Sequence, residues 1–127
     1  GGHIEPNEIP EEAALRECKE ETGLDVQILG EAQNDVFAKN QLEGRMLKKP
    51  FALLLEEIPA SKERNEPAHQ HMDFVYIAEL LDPKQIAVLE KEEGRELRWF
   101  TKDEIATLDT SKEIFANVQE YILRVLR

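Results

Sequence analysis

Glu8, Arg16, Glu17, Glu20 and Glu21 lie close together near the start of the chain, and three of these carboxylates stand at positions i, i+3 and i+4. On a helix that spacing crowds like charges, which repel unless a cation sits among them. Oxygen-only donors select a hard ion, Mg²⁺ or Mn²⁺ rather than zinc. An ion so held can neutralise anionic oxygens and activate a water. The bland alternative is a solvated acidic face in an acidic protein.

The element that must position these groups is a helix from about Pro10 to about Thr22. Pro10 suits a first turn, Glu11 and Glu12 complement the positive end of the helix dipole, and Gly23 is a natural stop. At roughly 100° per residue, Glu11, Ala14, Leu15, Cys18 and Thr22 fall on one side. Ala13, Glu17, Glu20 and Glu21 fall on another. Ile9 occupies the N-cap position and has no side-chain acceptor, which leaves the first turn prone to fray.

The whole segment from Gly2 to Leu24 resembles the Nudix box, G-x5-E-x7-R-E-U-x-E-E-x-G-U with U a bulky apolar residue. Gly2, Glu8, Arg16, Glu17, Cys18, Glu20, Glu21, Gly23 and Leu24 fill every specified position. With background frequencies of roughly 5–8 % for each fixed residue, a chance match at a given start is on the order of 10⁻⁸. The resemblance therefore outweighs the solvated-face reading. It implies a hydrolase of nucleoside diphosphate-linked compounds in which Glu17, Glu20 and Glu21, with the backbone carbonyl of Gly1, hold Mg²⁺ (or Mn²⁺). It further implies that Arg16 orients Glu17 and that Glu8 completes the network. The catalytic base stays open among Glu17, Glu20 and a later glutamate. In that family a further Glu often precedes a strand like E-G-R-E-L-R-W-F-T, Glu93 to Thr101. Glu93 is the first choice for it, Glu92 and Glu96 the alternatives.

Beyond the box, Asp25 to Ile28 and Glu31 to Phe37 read as short strands, Phe51 to Ile58 as an apolar strand, and Pro59 to Pro67 as a loop. His69 to Leu81 reads as one strand with both faces buried, hence central with helices on either side. Ile86 to Leu89 reads as a turn or short strand, and Leu97 to Phe100 as a strand whose aromatic pair anchors the core. Thr101 with Glu104 and Thr110 with Glu113 have the capping-box pattern. The second should open a helix with Ile114, Phe115, Val118, Tyr121, Ile122, Val125 and Leu126 on one stripe, covering a sheet face. The expected architecture is a single α/β domain over residues 1–127, an α/β/α sandwich with a mixed sheet, as the Nudix resemblance also implies.

His69, His71 and Asp73 alternate onto one side of their strand, a geometry that can contact substrate at the mouth of the site or hold a metal or phosphate. A structural role is the plain alternative. Composition bounds the rest. The net charge of −11 argues against a nucleic-acid polymer as partner but not against a small phosphorylated substrate. One cysteine rules out an internal disulfide, no apolar run approaches the ~18 residues of a membrane span, and no signal peptide is visible. A cytoplasmic enzyme is expected, with a catalytically inactive Nudix-fold nucleotide-binding or regulatory module as the alternative. Some ADP-ribose-cleaving members of the family place a Pro about sixteen residues after the box, and some dinucleoside polyphosphate-cleaving members a Tyr near there. This chain has Asn40, Gln41 and Leu42. In Nudix domains several strands precede the box, and none precedes Gly1 here. The resemblance thus implies that the chain is shortened, that its N-terminal part is separate, or that the missing sheet comes from another chain. An unpaired sheet edge would favour a homodimer.

Overall fold

Pro10 opens a 13-residue helix, α1, over Pro10–Thr22 in the computed structural model, which describes residues 1–88 and 97–126. Ile9 has no side-chain acceptor, and only half of a capping box forms: the Glu12 carboxylate accepts the Ile9 N–H at 3.3 Å. A long-range tie supplements it, because Glu11 accepts the backbone N–H of Lys48 at 2.8 Å. At the other end Gly23 turns into the left-handed region, φ 72°, and donates its N–H to the Lys19 carbonyl at 2.8 Å. Only glycine adopts that conformation without strain. The Val88 N–H then reaches the Thr22 carbonyl at 2.7 Å. Both ends of α1 are therefore held by segments remote in sequence.

The chain divides into two units, Gly1–Arg95 and Glu96–Arg127. In the first, β1 (Val26–Leu29) pairs antiparallel with β4 (Ile77–Leu80), and β2 (Ala52–Ile58) pairs antiparallel with β3 (His69–Val75). Among the described residues there is no parallel pairing, so the expected mixed sheet is two antiparallel pairs. The α1 helix packs on β1, and Ala13, Leu24 and Ile28 are buried. Ala13, grouped with the carboxylates by helical spacing, belongs to this core.

Three strand expectations in this first unit are corrected. The run from His69 to Leu81 is two strands, because the chain changes partner at Tyr76: residues before it pair with β2 and residues after it with β1. Tyr76 is half-buried, and its hydroxyl pKa is raised by that burial and by the nearby Glu11 carboxylate. Nor is β3 buried on both faces, since Met72 is 74 % exposed and its cross-strand neighbour Leu55 56 %. Glu31 to Phe37 contributes only a bridge between Glu31 and Lys49. Lys48 packs so closely over Gly30 that a Cβ there would lie 2.9 Å from its own.

In the second unit, α2 (Lys102–Thr107) starts from the expected capping box: Thr101 Oγ accepts the Glu104 N–H at 3.2 Å and Glu104 accepts the Thr101 N–H at 2.7 Å. The second capping box does not form. Asp109, one residue before Thr110, takes its place, donating its N–H to Glu113 at 2.8 Å and accepting from the N–H and hydroxyl of Ser111. An ionised carboxylate outcompetes a hydroxyl as acceptor, and those two bonds hold Asp109 below the usual carboxylate range. The next helix, α3 (Ala116–Val125), begins later than expected. It packs on α2 through Gln119, whose amide donates to the carbonyls of Ile105 and Leu108 at 2.9 and 3.1 Å. Ile105 is buried, whereas no residue of α3 is. Leu97–Phe100 is not a strand, and Trp99, expected in the core, is 66 % exposed. The Phe100 ring instead lies under the Arg98 guanidinium, 3.8 Å from its centroid.

Candidate active site

Arg16 organises the start of the chain. Its Nε and Nη2 grip the two oxygens of Glu8 at 2.8 and 3.0 Å, a bidentate fork, while Nη1 reaches Glu17 at 2.7 Å and Glu20 at 3.2 Å. Nη2 also donates to the His3 carbonyl at 2.9 Å, and Glu5 lies 3.9 Å from Nη1. One side chain thus pins the preceding loop to the helix and orients Glu17, the two tasks a planar multi-donor group performs better than an ammonium.

The electrostatics follow. The guanidinium, helped by the Glu5 backbone N–H, holds the Glu8 carboxyl down at about 2. Arg16 is in turn pushed above its ordinary value by Glu8 and Glu17. Glu8 and Glu17 are largely covered, with side chains 13 % and 14 % exposed, whereas Glu20 is 50 % exposed. Two residues before the helix share this geometry. Gly1 lies beside Glu21, its amino nitrogen 2.5 Å from Oε1. Gly2 lies directly beneath the Glu17 carboxylate, so close that a Cβ there would overlap it. Glycine at that position lets the backbone approach the acidic face.

Of the residues the sequence singles out, Glu8, Glu17 and Glu20 meet on Arg16, while Glu21 lies beside Gly1. All their donors are oxygens apart from the organising guanidinium, and Arg16 Nη1 already lies between two of the carboxylates. This donor set fits a hard divalent cation. Glu93, Glu92 and Glu96 lie outside the described residues. The parts of His3 and Glu5 in the network were not read from the sequence; both occupy unspecified positions of the box.

A second group of polar side chains lies on β2 and β3. His69, His71 and Asp73 share a face, as their alternation predicts, and the cross-strand register adds Glu56 opposite His71. One donor atom each from Glu56, His71 and Asp73 lies within 4.8 Å of the others. His69 is outside that triplet, its Nδ1 bonded to the Pro67 carbonyl at 2.9 Å. Glu56 has no sequence signal of its own, because its role arises only from strand pairing.

The helix and strand pairs define an α/β protein whose first helix carries an arginine-braced set of glutamates. The sequence matches the NUDIX domain over residues 1–119, and the chain belongs to that family. It is 37 % identical over 79 residues to a Lactococcus lactis subsp. cremoris protein named Probable DHNTP pyrophosphohydrolase, an overlap of 62 % of this chain and 37 % of that one. The chain therefore spans well under half the length of this curated relative. The fold is similar, with a TM-score of 0.73 and 30 % identity, to the crystal structure of a NUDIX-family hydrolase from Clostridium perfringens, covering 97 % of this chain and 75 % of that one. No helix among the described residues is long and apolar enough to cross a membrane.

Proposed function

We propose that the chain carries the catalytic centre of a divalent-metal-dependent pyrophosphohydrolase acting on a small nucleoside diphosphate-linked substrate. The observation that carries this reading is the convergence of Glu17 and Glu20 on one Arg16 nitrogen. The relative's name, Probable DHNTP pyrophosphohydrolase, supports it. Glu17, Glu20, Glu21 and the Gly1 carbonyl would hold Mg²⁺ or Mn²⁺, which supplies charge neutralisation and water activation when bound. Arg16 keeps Glu17 oriented, and Glu8 keeps Arg16 oriented. In the reaction a water oxygen attacks one phosphorus, the bridging P–O bond breaks, and a carboxylate takes the water's proton. That base is Glu17, Glu20 or Glu93, and single Gln substitutions at each distinguish them.

His69, His71 and Asp73 serve in this reading as groups near the mouth of the site. A cytoplasmic setting fits the lone Cys18, and the acidity of the chain fits a small-molecule rather than a nucleic-acid or membrane partner. The deciding experiment is a substrate panel of nucleoside triphosphates, nucleotide sugars, dinucleotides, coenzyme A and DHNTP, assayed with Mg²⁺ and with EDTA. Release of a phosphate product from a member of the panel with Mg²⁺, and none with EDTA, is expected. Undiminished hydrolysis in EDTA would overturn the reading.

A further inference from the structure

The β2–β3 hairpin creates a constellation that the box chemistry does not use. Glu56 stands opposite His71 in the ladder, and Asp73 is the next residue on the same face, opposite Leu54. Their donor atoms lie within 4.8 Å of one another, and all three residues are half-buried. Around them gather the remaining histidines of the chain: His69 at 4.8 Å and His3 at 5.4 Å from the His71 ring, both edge-on. All three histidines of the sequence thus meet at one end of this hairpin, on the side where the box loop arrives.

Two carboxylates held together by strand register repel, and something positive must lie between them. The Glu56 carboxyl is raised by its hydrogen bond to Asp73, by burial and by the Asp73 charge, with His71 opposing. An imidazole nitrogen beside two carboxylate oxygens is a donor set for a borderline first-row ion. Mg²⁺ prefers oxygens and water.

We infer that Glu56, His71 and Asp73 form a binding site for a first-row transition-metal dication of the Zn²⁺ type, separate from the carboxylates of α1. Three protein donors leave further coordination positions open to water or an anionic oxygen, the pattern of a non-structural site. His3 connects it to the box, since its ring packs against His71 while its carbonyl accepts from Arg16. The inference does not depend on the proposed hydrolysis.

The test uses the whole chain, stripped of metal and titrated with Zn²⁺ by calorimetry and with Co²⁺ by visible absorption, in millimolar Mg²⁺. The expected result is one Zn²⁺ or Co²⁺ per chain, with affinity lowered at least ~10-fold in Glu56→Gln, His71→Ala and Asp73→Asn and unchanged in Glu20→Gln/Glu21→Gln. In the unaltered protein, Zn²⁺ should shift the His71 ring resonances by NMR, a readout immune to any misfolding of the variants. Three results would each overturn the site: no Zn²⁺ binding at millimolar concentration, binding lost only in the α1 variant, or His71 shifts produced by metal-free pyrophosphate and not by Zn²⁺.

Discussion

The α1 face and the β2–β3 face solve one electrostatic problem in two ways. Both gather carboxylates around one position. On α1 the compensating charge is built in, because Arg16 forks onto Glu8 and also reaches Glu17 and Glu20. On the hairpin the repulsion persists: the Glu56 carboxyl is raised by its hydrogen bond to Asp73, by burial and by the Asp73 charge, with His71 opposing. The difference teaches that a permanent cation suits groups whose orientation must persist. Carboxylates left to repel suit a site that an incoming metal can occupy.

Breaking the first region should have the largest effect. Glu20→Gln, which removes one charged oxygen from an exposed position, is expected to lower turnover at least ~100-fold while thermal unfolding stays cooperative. Zn²⁺ binding at the hairpin should be untouched by it; a loss there would erase the distinction between the two regions. Arg16→Lys keeps the charge but not the fork, and an expected loss of about 10–100-fold in Mg²⁺ affinity or activity would measure what geometry adds to charge. Gly2→Ala displaces the Glu17 carboxylate from above the loop. A roughly 10-fold fall in kcat/KM with KM nearly constant is expected, since only one ligand is misaligned. Steady-state kinetics on the substrate identified by the panel would check both.

The smallest effect is in pH dependence, and it sharpens the contrast. Glu8 is held down at about 2 in the folded chain, against about 4.5 for an ordinary glutamate, so its pairing stabilises fully above the unfolded pKa. That contribution is lost as pH falls through about 4.5 towards 2. Equilibrium unfolding between pH 6 and pH 2 should therefore show wild type losing stability more steeply on acidification than Glu8→Gln, which has no such proton to take up. Equal slopes would mean that the Arg16–Glu8 fork does not persist in solution.

Legibility follows the range of the interaction. The bounds of α1 were readable because Pro10, Gly23 and the acidic first turn act within a few residues, and the Thr101–Glu104 box for the same reason. Thr110–Glu113 failed by a local competition: Asp109 is a stronger acceptor one position earlier. The run from His69 to Leu81 failed because a change of strand partner at Tyr76 leaves no mark on alternation. Trp99 failed because aromatic character alone does not say which surface will cover a ring.

By itself the sequence determined the acidic helix, its arginine and the family to which they belong, since a 3.6-residue period converts spacing directly into a shared face. Tertiary structure alone decided that Gly2 lies under Glu17, that the His3 carbonyl completes the Arg16 network, and that Glu56 joins His71 and Asp73. Those proximities depend on where loops cross the helix and on the register between β2 and β3. No local periodicity encodes either one.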